Sequence, residues 1–125
     1  ASLVEHLQCY GSIDLALDTF PYNGTTTTCE ALWMGVPTIS LVGQAPQSRV
    51  GASLLKQAQL EHFIAPTPSA YVAIARALYD RPDYLTRLRA SLRTHLAQTD
   101  LLTVKSLSQP LTATLIEWAN RHAVN

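Results

Sequence analysis

Four consecutive threonines, Thr25 to Thr28, follow Asn23-Gly24 between a strand-like apolar run and a helix-like run. Their β-branching and hydroxyl groups make such a run poor core and poor helix interior. At a strand-to-helix turn, however, the same residues align hydroxyls and backbone N–H groups. An anionic ligand such as phosphate needs donors of this kind. The run therefore predicts an anion-binding turn at the end of a strand.

Short apolar runs alternate with helical patterns along most of the chain. Glycine or proline lies near an end of each run, so we expect strands at residues 13–18, 38–42 and 62–65. This alternation favours an α/β fold, with a parallel sheet and flanking helices. Ligands of such sheets bind beyond the carboxyl ends of the strands, where the threonine run lies. We expect helices over residues 1–10, 27–34 and 49–58, two between 67 and 97, and one over 111–123.

Several residues mark the expected helix ends. Gly35 stands where a C-terminal cap belongs, Ser48 can cap the helix over 49–58, and Thr67 can cap the next helix with Pro68 in its first turn. Residues 98–110 are mixed in character, and Pro110 is expected to separate them from the last helix. We divide the chain into a β/α part that carries the site, residues 1–66, and a helical C-terminal part, residues 67–125.

Helical spacing in the C-terminal part predicts which residues are buried. In the second of the two helices expected between residues 67 and 97, three arginines lie outside the apolar stripe and are expected on a solvated face. A tryptophan and a methionine next to Gly35 are expected in the core. The stripes are Tyr71, Ile74, Ala75 and Leu78, then Leu85, Leu88, Leu92 and Leu96. The arginines are Arg87, Arg89 and Arg93, and the other two residues are Trp33 and Met34.

Two interpretations of Glu30 stay open at this stage. Thr27-x-x-Glu30 matches a capping box, in which the glutamate reaches back to the first turn of its own helix. Alternatively, Glu30 accepts hydrogen bonds from a ribose diol. The structural interpretation leaves Thr25, Thr26, Thr28 and the preceding Asn23-Gly24 unexplained, whereas a phosphate-binding turn explains more of them.

Two further residues are candidates for the site. Arg49 lies near the start of the next helix and could face the same sheet edge, although a surface ion pair is an equal alternative. His6, taken alone, is most simply a satisfied or exposed histidine, as are His62, His95 and His122.

Composition excludes several classes of function. The 125 residues carry 9 basic and 9 acidic side chains, so a nonspecific nucleic-acid binder is not expected. No apolar run approaches the roughly 18 residues of a membrane helix. Cys9 and Cys29 form neither a zinc motif nor a disulfide framework, which favours a reduced cytoplasmic setting. The chain also lacks an initiator methionine and has only 14% charged residues, which suggests a piece that packs against more protein.

Residues 17–37 resemble the signature of the O-linked N-acetylglucosamine transferase and SPINDLY-like glycosyltransferases. Residues 48–53 and the pair Glu5-His6 resemble the same family, and the likeness is dense over residues 5–65. The resemblance implies a GT-B fold made of two Rossmann-like domains. This chain would be the C-terminal portion of the second domain, and the N-terminal half of the catalytic region, with any tetratricopeptide repeats, would lie outside it.

The resemblance also implies roles for individual residues. Thr26 and Thr27 would contact the diphosphate of a UDP-sugar donor, Glu30 would bind the ribose, and His6 would lie near the uracil and ribose. Thr25 stands where animal enzymes carry a histidine, so that contact is altered here.

The implied activity is metal-free and cofactor-free inverting transfer of N-acetylglucosamine from UDP-GlcNAc to serine or threonine of an acceptor protein. The catalytic base would come from outside this chain. The sequence leaves open whether the donor base is uracil or guanine. The alternative is a non-catalytic module that binds a sugar nucleotide or phosphate, or another protein.

Overall fold

The computed structural model describes residues 2–122, apart from the side chains of residues 104–107. Helices and short parallel strands alternate over the first half, and helices alone make up the second half. The elements are α1 (Leu3–Cys9), β1 (Ala16–Leu17), α2 (Thr26–Trp33), β2 (Thr38–Leu41), α3 (Val50–Gln57), β3 (Ile64–Ala65), α4 (Pro68–Tyr79), α5 (Pro82–Leu96) and α6 (Val104–His122).

The three strands form one parallel sheet in the order β1-β2-β3, as expected. Ala16 pairs with Thr38, and Ser40 pairs with Ile64. The outer strands are shorter than predicted, with two residues each, because residues 61–63 form a 3₁₀ turn and only the ends of the apolar runs join the ladder. Parallel pairing turns all three carboxyl ends toward the same edge, and the α2 and α3 N-termini follow the first two strands there.

The core lies between the sheet and helices α3, α4 and α5. Three leucines of the predicted α5 stripe, Leu88, Leu92 and Leu96, face it, because their spacing places them on one side of the helix. Leu85 is buried outside this cluster. Each fully buried leucine contributes roughly 1.5–3 kcal/mol of burial free energy. The main buried residues are Leu32, Ile39, Leu55, Phe63, Leu78, Leu92 and Leu96, with Tyr71, Ile74, Ala75 and Leu88 partly buried against them.

Two predicted helix ends are confirmed. Gly35 has φ +80°, and the N–H groups of Gly35 and Val36 donate to the carbonyls of Leu32 and Ala31. This pair of bonds is a Schellman motif, which needs the left-handed conformation that glycine adopts freely. Thr67 caps α4, since its Oγ1 accepts from the N–H of Ala70 at 3.2 Å.

Two other predicted ends are wrong. Ser48 does not cap α3, because its hydroxyl donates to the Ala45 carbonyl at 2.8 Å within a 3₁₀ turn and the helix begins two residues later. Pro110 does not start the last helix, because α6 runs from Val104 through it. The proline removes one helical donor, and the helix continues on both sides of it. The predicted position 123 lies outside the described residues.

The predicted environments around residue 34 need correction. Trp33 is 38% exposed rather than in the core, and the Arg93 guanidinium lies 4.3 Å from its ring centroid. Met34 is half-buried beside the small cluster that Tyr10 joins. Arg89 does not lie on a solvated face, since its Nε donates to the Gly35 carbonyl at 3.3 Å.

In the described part of the chain, no helix combines the length and apolar composition that crossing a membrane requires.

Candidate functional site

The turn between β1 and α2 is built on a buried carboxylate. Asp18 follows β1 and is 9% exposed. Its Oδ1 accepts from the N–H of Gly24 at 2.8 Å, and its Oδ2 accepts from the Ser40 hydroxyl at 2.6 Å. Hydrogen bonds to a charged group are stronger than neutral ones. The carboxylate therefore joins the start of the loop, its end and the neighbouring strand β2.

A buried amide links this loop to the next one. Asn23 is 1% exposed; its Nδ2 donates to the Thr19 carbonyl at 2.9 Å, and its Oδ1 accepts from the N–H of Gly51 in α3 at 3.2 Å. The backbone N–H of Asn23 donates to the Gln47 carbonyl at 3.0 Å. The two strand-to-helix connections are thus bonded together behind the threonine run.

Close approach of α3 to this network requires a glycine at position 51. A Cβ there would lie 2.1 Å from Ser40 Oγ and 2.3 Å from Asp18 Oδ2. Tyr71 of α4 donates from its hydroxyl to the Asp18 carbonyl at 2.8 Å, and burial, with the charge of Asp18, raises the pKa of Tyr71. Helices α3 and α4 therefore both support the turn.

The N-terminus of α2 is open toward solvent. Thr25 precedes the helix with φ −105° and ψ −72°, and its side chain makes no capping bond. Thr28 is turned inward and donates to the Gly24 carbonyl at 3.0 Å. Thr26 and Thr27 are exposed, and neither hydroxyl bonds to any other described residue. The first turn of α2 therefore presents free N–H groups and free hydroxyls at the carboxyl edge of the sheet.

The capping-box interpretation of Glu30 is wrong. The helix begins at Thr26, one residue earlier than predicted, so Thr27 is not the N-cap. The Glu30 carboxylate instead turns toward α1, where its Oε2 lies 3.0 Å from His6 Nε2 and 3.2 Å from the Tyr10 hydroxyl. His6 and Tyr10 also touch each other, with ring centroids 5.6 Å apart at an interplanar angle of 83°.

A cavity of about 360 Å³ adjoins the turn. It lies between α1, β1 and the N-terminus of α2, so it brings three of the predicted site residues together with three residues that the sequence did not single out as ligands. These six are His6, Gly24 and Thr27, then Tyr10, Asp18 and Thr28.

Arg49 does not face this cavity. Its Nη1 donates to the Gly43 carbonyl at 3.4 Å, and its side chain lines a separate open cavity with Lys56 and Ser53. The structure therefore does not bring Arg49 together with the threonine turn.

Two groups beside Glu30 have altered acidity. Burial, then the hydrogen bond and charge of Glu30, raises the pKa of Tyr10. Burial, then the charge of Glu30, raises the pKa of the Cys29 thiol. The Tyr10 hydroxyl and the Cys29 thiol therefore stay protonated at neutral pH. The described residues contain no group of three histidine, cysteine or acidic side chains placed to hold a metal ion.

Sequence reasoning missed the residues that support the site. Asp18 and Asn23 stood in the stretch that marked the turn, and a polar residue at the end of a buried strand is a usable signal for such a role. Ser40 and Tyr71 gave no local signal, because their bonds cross between elements distant in sequence.

Most of this chain is similar in sequence to known proteins. Residues 1–111 match the model of glycosyl transferase family 41. The chain is 42% identical over 110 residues to the Petunia hybrida protein named as probable UDP-N-acetylglucosamine–peptide N-acetylglucosaminyltransferase SPINDLY, covering 88% of this chain and 12% of that protein. The Arabidopsis thaliana protein of the same name is 45% identical over 89 residues, covering 71% of this chain and 10% of that protein.

A solved structure gives the same picture. A mutant of the Thermobaculum terrenum O-GlcNAc transferase superposes with a TM-score of 0.81 at 37% identity, covering 92% of this chain and 22% of that one. The expected fold class, a Rossmann-like parallel sheet of the GT-B glycosyltransferase kind, is thereby confirmed. The chain spans about a tenth of the length of the curated relatives that it matches.

Proposed function

Because the chain belongs to glycosyl transferase family 41, we propose that it is the C-terminal portion of the donor-binding domain of a longer inverting glycosyltransferase. Residues 1–66 carry the donor site and the following residues form its helical support. The two plant relatives reported above are named as probable UDP-N-acetylglucosamine–peptide N-acetylglucosaminyltransferases. By analogy, the donor here is UDP-GlcNAc and the acceptor is a serine or threonine hydroxyl of a protein.

The open N-terminus of α2 is the observation that carries this proposal. Thr26 and Thr27 offer free hydroxyls beside free backbone N–H groups, and Asp18 holds the Gly24 end of the turn in place. A diphosphate seated there meets hydroxyl donors, N–H donors and the positive end of the α2 dipole. The dipole alone stabilises a nearby negative charge by roughly 0.3–1 kcal/mol.

The nucleoside end of the donor has a place beside the same turn. His6 lines the cavity, and its Nε2 lies 3.0 Å from Oε2 of Glu30, whose side chain is 27% exposed. A partly exposed carboxylate accepts hydrogen bonds from ribose hydroxyls, and an exposed imidazole packs against a nucleobase. Gly24 lines the cavity, and exposed Thr25 precedes the first turn of α2 at this end.

The chemistry follows from where negative charge develops. An acceptor hydroxyl attacks the anomeric carbon, the bond to the diphosphate breaks, and the configuration inverts. The leaving UDP gains negative charge next to the first turn of α2, whose preorganised donors stabilise it. No metal ion or cofactor is required by this scheme, and the base that accepts the hydroxyl proton belongs to the other half of the catalytic region.

Titration calorimetry on the complete protein tests the proposal. We expect UDP to bind, GDP to bind more weakly, and EDTA to leave both dissociation constants unchanged. Tighter binding of GDP would show that the donor is a GDP-sugar rather than UDP-GlcNAc, and the proposed diphosphate site would remain. Failure of both nucleotides to bind would contradict a donor site in this chain and favour a protein-interaction module. Transfer of labelled N-acetylglucosamine to protein serine or threonine tests the reaction itself.

Both cysteines in the chain are free, which suits a reducing compartment such as the cytoplasm. Residence there gives the enzyme access to cytoplasmic protein acceptors. Fractionation of cells that express the complete protein tests this placement, and recovery in the secretory pathway would contradict it.

A further inference from the structure

The hydroxyl of Tyr10 contacts the carboxylate that the proposed function assigns to the ribose. Tyr10 follows α1 in a 3₁₀ turn and is 7% exposed, and its ring packs in a small cluster with Ala31 and Val36. Its position is therefore set by packing, independently of any ligand. From this fixed ring the hydroxyl donates to Glu30 Oε2 at 3.2 Å.

Only one of the two Glu30 oxygens is engaged. Both Tyr10 and His6 bond to Oε2, and within residues 2–122 Oε1 has no hydrogen-bond partner. Two donors on one oxygen fix the rotation of the carboxylate. The second oxygen is thereby presented with free lone pairs.

The two donors are not equivalent. The His6 side chain is 52% exposed, so water competes with its bond to Glu30, and the proposed function gives its ring a second contact with the nucleobase. The Tyr10 residue is only 7% exposed, and its hydroxyl stays protonated, because burial and the neighbouring carboxylate raise its pKa. Tyr10 is therefore the more persistent of the two anchors.

We propose that Tyr10 is a positioning residue that holds the Glu30 carboxylate so that its free oxygen accepts a ribose hydroxyl of the donor nucleotide. This inference rests on the proposed role of Glu30 as ribose ligand. Tyr10 would then contribute to the discrimination between ribose and deoxyribose nucleotides. A carboxylate held in one orientation forms a more favourable hydrogen bond with a ribose hydroxyl than a mobile carboxylate does.

The test is calorimetry of the complete protein with UDP, 2′-deoxy-UDP and 3′-deoxy-UDP. The Tyr10→Phe variant keeps the buried ring and removes the hydroxyl. We expect the preference for UDP over the less favoured deoxy analogue to fall about tenfold or more, as loss of one hydrogen bond to a charged group implies. Affinity for the deoxy analogue itself should be unchanged. Tyr79→Phe, on an 81% exposed tyrosine of α4, is the matched control and should leave every ratio unchanged.

Glu30→Gln separates this inference from the function on which it rests. If Glu30→Gln leaves the preference for ribose intact, Glu30 is not the ribose ligand and the proposed site is wrong at that point. If Glu30→Gln abolishes the preference while Tyr10→Phe preserves it, Glu30 is the ligand and the positioning role of Tyr10 is overturned. Equal loss of affinity for UDP and both deoxy analogues in Tyr10→Phe would also overturn it, since that pattern shows a merely structural role. When Glu30→Gln is already present, adding Tyr10→Phe should change the ratio no further.

Discussion

Two helices of this domain follow a strand and begin next to a threonine, yet their first turns differ. α4 begins after Thr67, which is extended at φ −140° and ψ 156° and accepts from the N–H of Ala70. Its first residue, Pro68, has no N–H to satisfy. α2 begins after Thr25, which has a near-helical backbone and caps nothing. One first turn is closed by its own side chain, and the other is left open.

The two first turns differ in where their support comes from. The connection to α4 is short, and the cap stabilises the helix locally. The connection to α2 is longer, and its shape is held from behind by Asp18 and Asn23, whose bonds reach β2 and α3. Because these bonds come from the protein side of the turn, the solvent side keeps the unbonded hydroxyls of Thr26 and Thr27.

Loss of the support behind α2 should have the largest effect on stability. Asp18→Ala leaves the Gly24 N–H and the Ser40 hydroxyl without their acceptor, and each bond to a charged group is worth roughly 1.5–3 kcal/mol. We expect urea-induced unfolding of the complete protein to show a loss of about 3 kcal/mol. Asp80→Ala, at an exposed carboxylate 3.8 Å from Arg76, should cost at most about 0.5 kcal/mol. A cost for Asp18→Ala no larger than that of the control would show that the turn is held in another way.

Substituting the threonines that precede the two helices should change the free energy of unfolding by less than Asp18→Ala does. Thr67→Ala removes a real N-cap bond and should destabilise the protein by about 1 kcal/mol. Thr25→Ala removes no such bond and should cost less than about 0.5 kcal/mol, within the range of ordinary surface substitutions. Equal losses of unfolding free energy for Thr67→Ala and Thr25→Ala, measured by thermal or urea unfolding, would contradict the difference between the two first turns.

The smallest expected effect is on the reactivity of Cys29 in α2. A cysteine near a helix N-terminus usually has a lowered pKa, but burial and the charge of Glu30 raise the pKa of this one. Its thiolate fraction is therefore small, and iodoacetamide should modify exposed Cys9 before Cys29 at pH 8. Glu30→Gln removes one of the two causes and should speed modification of Cys29, as mass spectrometry of the peptides can follow. Faster reaction of Cys29 than of Cys9 in the unaltered protein would contradict this order.

The sequence predicted the features that depend on local signals. Proline, glycine and short apolar runs marked the parallel strands, Gly35 and Thr67 marked helix ends, and the threonine run marked the open turn. Each of these follows from the conformational preference of a few neighbouring residues.

The features that the sequence did not predict depend on contacts across the fold. Glu30 matched a local capping box, but a tyrosine 20 positions away and a histidine 24 positions away bind its carboxylate instead. Pairwise contacts of this kind leave no trace in a single sequence.

The central claim is that the open first turn of α2 holds the diphosphate of the donor. Titration of UDP and of uridine into the complete protein and into Thr26→Val/Thr27→Val tests it most directly, with Thr67→Val as the control. The account predicts that the double variant weakens UDP binding about tenfold or more, as loss of hydroxyl donors to a charged group implies, and leaves uridine binding unchanged. Unchanged UDP affinity, or an equal loss for UDP and uridine, would contradict it.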